Sequence, residues 1–378
     1  MPPATGTKYD GAPQAEGTEP PSGAPALHEA DRGYHWPRWV IGPTLIPRND
    51  IDPMEGGACM SFKKIAVAGG GVLGSQIAFQ SAYCGLDVTI WLRMESSIGR
   101  SRPKIERLRQ IYLDTLEALK TDPAAYAYGL IAREDVSPEA LDACKERVER
   151  AYASLRLTTD WDEAFSDADL VIEAVAETPD AKTAFYKELA RHIPERTVIV
   201  TNSSTLLPSS FAETTGRPDK FLALHFANEI WRNPTGEVMG HADTDPTHFE
   251  EIVEFASQIR MVPIRVLKEQ PGYILNSLLV PLISAALRLW ATGVGTPEDI
   301  DKDWTISTGA PYGPFRLLDI IGLVTPLNII SRSPQAKDES SVEHRIVKML
   351  QAKMDRGETG VNAGKGFYDY GGGEPAAK

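Results

Sequence analysis

Apolar and polar residues fall into a regular order at Phe62 and keep it almost to the C-terminus. Residues 64–68 form a short apolar run, residues 72–83 carry an apolar face at helical spacing, and residues 87–92 (DVTIWL) are β-branched and apolar. The pattern predicts strand, helix, strand. Residues 95–120 then place Ile105, Leu108, Ile111, Leu116 and Leu119 on one side of a long charged helix, and residues 138–153 form a second amphipathic stretch. Strand signals return at 155–158, 170–175, 198–201 and 221–224, with a helix at 180–192. Strands alternating with helices predict a doubly wound, mostly parallel sheet covered on both faces. Beyond Gln270 the strand signals stop. Residues 274–292 are strongly apolar, and helical patterns follow at 297–307, 314–321, 325–331 and 342–356. The chain therefore divides into an α/β domain over 60–269 and an all-α domain over 270–378.

Residues 1–59 lack this order and hold 10 of the 28 prolines and 8 of the 31 glycines. Such a segment buries too little apolar surface to offset its ordering entropy, so it is expected to be mostly disordered apart from a docking patch around Trp36–Ile41. Met60, just ahead of the first strand, leaves two readings open: a genuine extension or an upstream start. Across the whole chain, 42% hydrophobic and 24% charged residues are globular values. The net charge of −13 argues against nucleic acid and anionic membranes as partners. No apolar run is expected to reach the length of a membrane helix. The three cysteines, Cys59, Cys84 and Cys144, have neither disulfide-framework nor zinc spacing, which points to no metal and a reducing cytoplasm.

The first turn after a strand is Gly69-Gly70-Gly71-Val72-Leu73-Gly74, a GxGxxG that opens a helix inside a βαβ unit. Gly69 permits the tight turn, Gly71 lets backbone approach a pyrophosphate, and Gly74 lets helix and strand pack. The N–H groups of Val72, Leu73 and Gly74 then face the phosphates at the positive end of the helix. This is the signature of a Rossmann-type dinucleotide site. Its ribose reader is unusual: where a carboxylate would accept the ribose hydroxyls, the strand ends in Leu92-Arg93. Arg93 can pair with a 2′-phosphate, which tilts the cofactor from NAD toward NADP. The plainer alternative is a solvated arginine, with Glu95 or a backbone group serving the ribose.

Further segments follow in order: 169–177 (DLVIEAVAE), Thr201-Asn202-Ser203-Ser204, Leu224-His225-Phe226-Ala227-Asn228, Gly236-Glu237-Val238-Met239, 270–276 (QPGYILN) and 366–370 (GFYDY). From about Lys63 to Tyr370 the chain resembles the 3-hydroxyacyl-CoA dehydrogenase family. The resemblance implies a Rossmann-type domain followed by a helical substrate and dimerisation domain, acting on a CoA thioester as a homodimer with NAD. It makes His225 the general base, Glu237 its carboxylate partner, and Ser204 and Asn276 the polar groups around the reacting oxygen. Glu177, Lys182 and Asn228 match positions near the cofactor. The residue types suit the chemistry. Hydride loss from C3 requires loss of the hydroxyl proton, imidazole titrates near working pH, and a carboxylate on its other nitrogen steadies the imidazolium.

Each residue also has a structural reading. His225 alone could be a core histidine, Ser204 a helix N-cap, Asn276 a buried amide with a structural partner, and Glu177–Lys182 a surface pair. The chain departs from the family at Glu229-Ile230-Trp231-Arg232, where a proline usually follows Asn228. Trp231 and Arg232 are expected there to reshape the acyl pocket or to meet an anionic group. It departs again at Asn362, where a lysine is usual. Two other functions stay open: a dehydrogenase of a free 3-hydroxy acid of sugar-acid or carnitine type, and a non-catalytic dinucleotide-binding protein. Nothing resembles a hydratase, so the likeness is to the single-function, 3-hydroxybutyryl-CoA dehydrogenase-like enzyme.

Overall fold

The computed structural model describes residues 62–371; the expectations for residues 1–59 lie outside them. Eight strands form one sheet: β1 (Lys64–Ala68), β2 (Asp87–Trp91), β3 (Arg156–Thr158), β4 (Leu170–Glu173), β5 (Val198–Thr201), β6 (Phe221–Phe226), β7 (Thr235–Met239) and β8 (Val262–Val266). Their order is β3-β2-β1-β4-β5-β6-β7-β8, parallel except for the antiparallel β6–β7 pair. The first six strands thus follow the doubly wound nucleotide-binding order. Around them pack α1 (Val72–Tyr83), α2 (Glu95–Ala118), α3 (Pro138–Ser154), α4 (Trp161–Phe165), α5 (Pro179–Leu189) and α6 (Pro246–Gln258). The second domain is helical: α7 (Tyr273–Ala291), α8 (Pro297–Thr308), α9 (Pro314–Ile321), α10 (Val324–Ser331) and α11 (Val342–Asp355).

Two cores sandwich the sheet. One side buries Ile65, Val67, Ile77, Phe79, Tyr112 and Val148 beneath α1, α2 and α3. The other buries Ala66, Trp91, Phe165, Val171, Phe185 and Tyr186 beneath α4 and α5. The alternation of faces along β1 explains why its five residues read as one apolar run. Helix starts are set locally. Ser137 accepts from the Ala140 N–H, Asp245 from Thr247 and Ser341 from His344, each satisfying a donor that the helix leaves free.

Strands β7 and β8 escape the sequence pattern. Gly236 and Glu237 interrupt β7, and Pro263 sits in β8, where it is tolerated because β8 is the edge strand. Helices α4 and α6 likewise fall where no element was expected.

The helical domain is knit by two buried carboxylates. Asp301 accepts from the Phe315 and Arg316 N–H groups at the start of α9 and from the Tyr368 hydroxyl. Asp319 accepts from the Phe367 and Tyr368 N–H groups and the Tyr370 hydroxyl. The C-terminal GFYDY motif is therefore a clamp on α8 and α9. A Cβ at Gly366 would lie 2.0 Å from Asp319 Oδ1, which requires glycine there.

Contrary to the expectation of no apolar run of membrane length, α7 is long and apolar enough to meet that criterion. Its inward residues Ile283, Ala286, Leu287 and Ala291 belong to the helical core, whereas Leu275, Leu278, Val280 and Leu289 are exposed.

Candidate active site

The glycine turn has the shape its spacing implies. Gly69 has φ 120°, and a Cβ there would meet the Ala174 carbonyl oxygen at 2.4 Å. A Cβ at Gly74 would fall 2.1 Å from Gly69 O. A Cβ at Gly71 would touch nothing within 4 Å, so at the N-terminus of α1 the backbone is open on the side a pyrophosphate would approach. Gly71 supplies no side-chain cap, leaving the first N–H groups of α1, from Val72 onward, for a ligand. The turn fits a dinucleotide. From α2, Ser101 Oγ and Lys104 Nζ both donate to Gly70 O, at 3.1 and 3.0 Å. Lys104 brings a cation to the turn that its place in a long charged helix did not single out.

At the end of β2, Leu92 is buried against the turn and Arg93 is exposed, with no protein partner among the described residues. Glu95, the alternative ribose reader, accepts from Thr159 Oγ1 at 2.6 Å.

The His225–Glu237 pair is made by strand register. β6 and β7 are antiparallel with His225 opposite Glu237, which sets their side chains on one face. His225 Nδ1 lies 2.9 Å from Glu237 Oε2, and both residues are buried. Glu237 Oε1 accepts from the Ile274 and Leu275 N–H groups, each at 3.0 Å, at the start of α7. Burial works against the charge on Glu237, but the hydrogen bond and charge of His225 and these two amides outweigh it and hold the carboxyl below its ordinary value. Nε2 of His225 has no hydrogen-bond partner among the described residues. The imidazole is oriented on one nitrogen and open on the other.

Ser204 lies in a bend after β5, with no helix following it directly, so the N-cap reading falls away. Ser204 and Asn276 are both half-buried, and neither side chain has a protein partner among the described residues. Tyr273, three residues before Asn276, donates its hydroxyl to Ser203 O at 2.7 Å and stacks on the His225 ring. It thereby draws the Ser204 loop, the histidine and the start of α7 together. Asn228 is exposed after β6, its carbonyl taken by Asn233.

Glu177 and Lys182 are not a surface pair. Glu177 Oε1 accepts from Ser203 Oγ, Ser204 N–H, Thr205 N–H and Thr205 Oγ1, fixing the serine loop. Burial disfavours its charge, yet the Ser203 hydroxyl, the Lys182 charge and Thr205 hold its pKa below the ordinary value. Lys182 is enclosed, bonding both oxygens of Glu173 at 2.7 and 2.8 Å and lying 3.3 Å from Glu177. Glu173, fully buried at the end of β4, also accepts from Tyr186 OH, Thr201 Oγ1 and Val175 N–H. Sequence reasoning passed over Glu173; its one signal was a carboxylate closing an otherwise apolar strand, with a lysine nine residues on.

The departure at 229–232 has a structural cause. Glu229 takes φ 57°, and its N–H donates to Gln76 Oε1 of α1. Ile230 and Trp231 then enter the sheet core, the indole 5.4 Å from the Tyr112 ring. Trp231 therefore does not shape an acyl pocket, because it is enclosed in the core; Arg232 remains exposed.

The glycine turn, His225 and the serine loop all sit at the carboxyl ends of parallel strands, where doubly wound sheets bind ligands. That placement defines a dinucleotide-dependent oxidoreductase. Residues 64–270 match the NAD-binding domain of 3-hydroxyacyl-CoA dehydrogenase, and residues 272–370 match its C-terminal domain. The chain belongs to the 3-hydroxyacyl-CoA dehydrogenase family. It is 31% identical over 308 residues to the mitochondrial hydroxyacyl-coenzyme A dehydrogenase of Homo sapiens, covering 82% of this chain and 91% of that one. A solved diketoreductase, described as acting on dicarbonyl compounds, is 42% identical with a TM-score of 0.70, over 82% of this chain and 99% of that one. The structure of (S)-3-hydroxybutyryl-CoA dehydrogenase from Ralstonia eutropha is 25% identical with a TM-score of 0.61, over 82% of this chain and 100% of that one.

Proposed function

We propose that the protein interconverts a short-chain 3-hydroxyacyl-CoA and its 3-oxo form with a nicotinamide dinucleotide. The carrying observation is His225, held on buried Glu237 through Nδ1 and uncommitted at Nε2. Nε2 takes the proton from the 3-hydroxyl, and Glu237 steadies the imidazolium that forms. Ser204 and Asn276 donate to the oxygen as its charge develops. A nicotinamide dinucleotide held at the Gly69–Gly74 turn would supply the acceptor for the hydride leaving C3. The deciding assay is 3-hydroxybutyryl-CoA oxidation, run beside the free acid. No turnover of the thioester, with turnover of a free dicarbonyl or hydroxy acid, would replace this reading with a second one. That second reading is supported by the higher identity to the diketoreductase than to the CoA-named relatives.

For the cofactor we infer acceptance of a 2′-phosphate through Arg93. Leu92 leaves no carboxylate to repel it, and Arg93 has no competing protein partner among the described residues. A charge-assisted hydrogen bond contributes roughly 1.5–3 kcal/mol, on the order of ten- to a hundredfold in affinity. The comparison is kcat/KM for NAD and NADP in the parent and in Arg93→Ala. The parent is expected to favour NADP and the variant to lose that preference; a parent preferring NAD, unchanged by the substitution, makes Arg93 a surface charge.

We also propose a homodimer in a reducing, cytoplasmic setting. Leu278 and Val280 on α7, Ile320 and Ile321 on α9, and Val324 and Ile329 on α10 are exposed apolar residues that a second copy would cover. Cys84 and Cys144 are free thiols, which is compatible with that setting. Light scattering is expected to show a dimer, and Leu278→Asp to shift it toward monomer. A monomeric parent at working concentration refutes the assembly.

A further inference from the structure

Tyr273 stands where the two domains join. Its ring lies flat against the imidazole of His225, with centroids 4.5 Å apart and planes 12° apart. Its hydroxyl donates to Ser203 O, the carbonyl immediately before Ser204. Its backbone sits at φ 53°, directly after Gly272 at φ 81°. A bulky residue in the left-handed region is an outlier that persists only where surrounding contacts hold it there. Here the contacts are catalytic residues on one side and the serine loop on the other.

We propose that Tyr273 is a positioning residue for the proton transfer: its ring face favours the cationic form of His225, and its hydroxyl fixes the loop presenting Ser204. This rests on His225 being the base. A cation within about 6 Å of an aromatic centroid is attracted to the ring's negative face, and neutral imidazole lacks that attraction. The ring therefore favours the state reached when Nε2 takes the substrate proton. Tyr273 itself exchanges no proton. Burial first, and then the nearby Glu177, Glu237, Glu173 and Glu269 carboxylates, raise its pKa far above the usual phenol value, so it stays a donor throughout.

The charged groups around the histidine come from several elements. Glu237 on β7 contacts Nδ1 directly, Glu177 and Lys182 lie behind the serine loop, Glu173 ends β4, and Glu269 precedes α7. The phenol is not a partner of these groups: Glu237 is held by the Ile274 and Leu275 amides, and Glu173 by Lys182 and Tyr186. Because phenylalanine and leucine both lack the hydroxyl that reaches Ser203 O, comparing the two variants isolates the ring's effect on the imidazole.

The test is kcat/KM against pH, in the direction of alcohol oxidation, for the parent, Tyr273→Phe and Tyr273→Leu. The acidic limb reports His225 in the free enzyme. Tyr273→Phe keeps the ring, so its limb should coincide with the parent's while kcat falls about tenfold from the loosened serine loop. Tyr273→Leu loses the ring, so its limb should move to lower pH by about half a unit to one unit, because the imidazolium is less favoured. Dinucleotide affinity by fluorescence titration should match the parent in both. If the leucine variant fails to bind dinucleotide, Tyr273→Met reads the same limb. A limb unmoved in the leucine or methionine variant, or parent-like kcat and KM in Tyr273→Phe, overturns the corresponding half of the proposal. A parent profile with no acidic limb overturns the base assignment instead.

Discussion

His225→Ala is expected to turn over substrate ~10²–10⁴-fold more slowly while binding dinucleotide as the parent does. The separation of effects follows from position. The phosphate turn lies between β1 and α1, whereas His225 lies near the end of β6, three strands away in the sheet. Alanine removes the imidazole without touching the glycine backbone of the Gly69–Gly74 turn. Glu237→Gln should also slow the reaction, by a smaller factor. The amide keeps an oxygen for the Ile274 and Leu275 N–H groups, but it no longer balances the charge on the imidazolium. The measurements are steady-state turnover and fluorescence titration of the dinucleotide on the same preparations. Turnover near the parent's in His225→Ala would take the imidazole out of the mechanism.

Lys182→Met should destabilise the fold by about 3–5 kcal/mol in chemical denaturation. Glu173 is fully buried, and Lys182 is the cation that balances it. Methionine fills a similar volume yet leaves the carboxylate uncompensated. Adding Glu173→Gln should restore part of the loss, because the neutral amide can still accept from Tyr186 and Thr201. Activity should fall in Lys182→Met as well, since Glu177 loses the charge beside it and with it some grip on the serine loop. Equal stability of the single and double variants would show that the buried carboxylate is protonated and needs no cation.

The elements legible in the sequence are those whose signal is local. The bounds of β1 and α1 follow from an apolar run, a glycine turn and an apolar helix face, and the structure keeps them. Strands β7 and β8 were not legible, because their conformation comes from pairing across the sheet, and Gly236, Glu237 and Pro263 mask it locally. His225 and Glu237 could be named from motif order, but their contact depends on the β6–β7 register. Glu173, Asp301 and Asp319 were invisible for a related reason. A lone carboxylate in a strand or helix says nothing of the donors that fold around it. Trp231 was misplaced because a bulky residue beside a site motif suggests a pocket wall, whereas the positive φ of Glu229 turns the chain inward.

The two amides that hold Glu237 belong to the helical domain, while the carboxylate belongs to the sheet domain. Glu237 thus keeps its full set of hydrogen bonds only while the two domains are seated on one another. The seam at Gly272 and Tyr273 is in that sense part of the site: a change that unseats the start of α7 reaches the His225–Glu237 pair without touching either side chain.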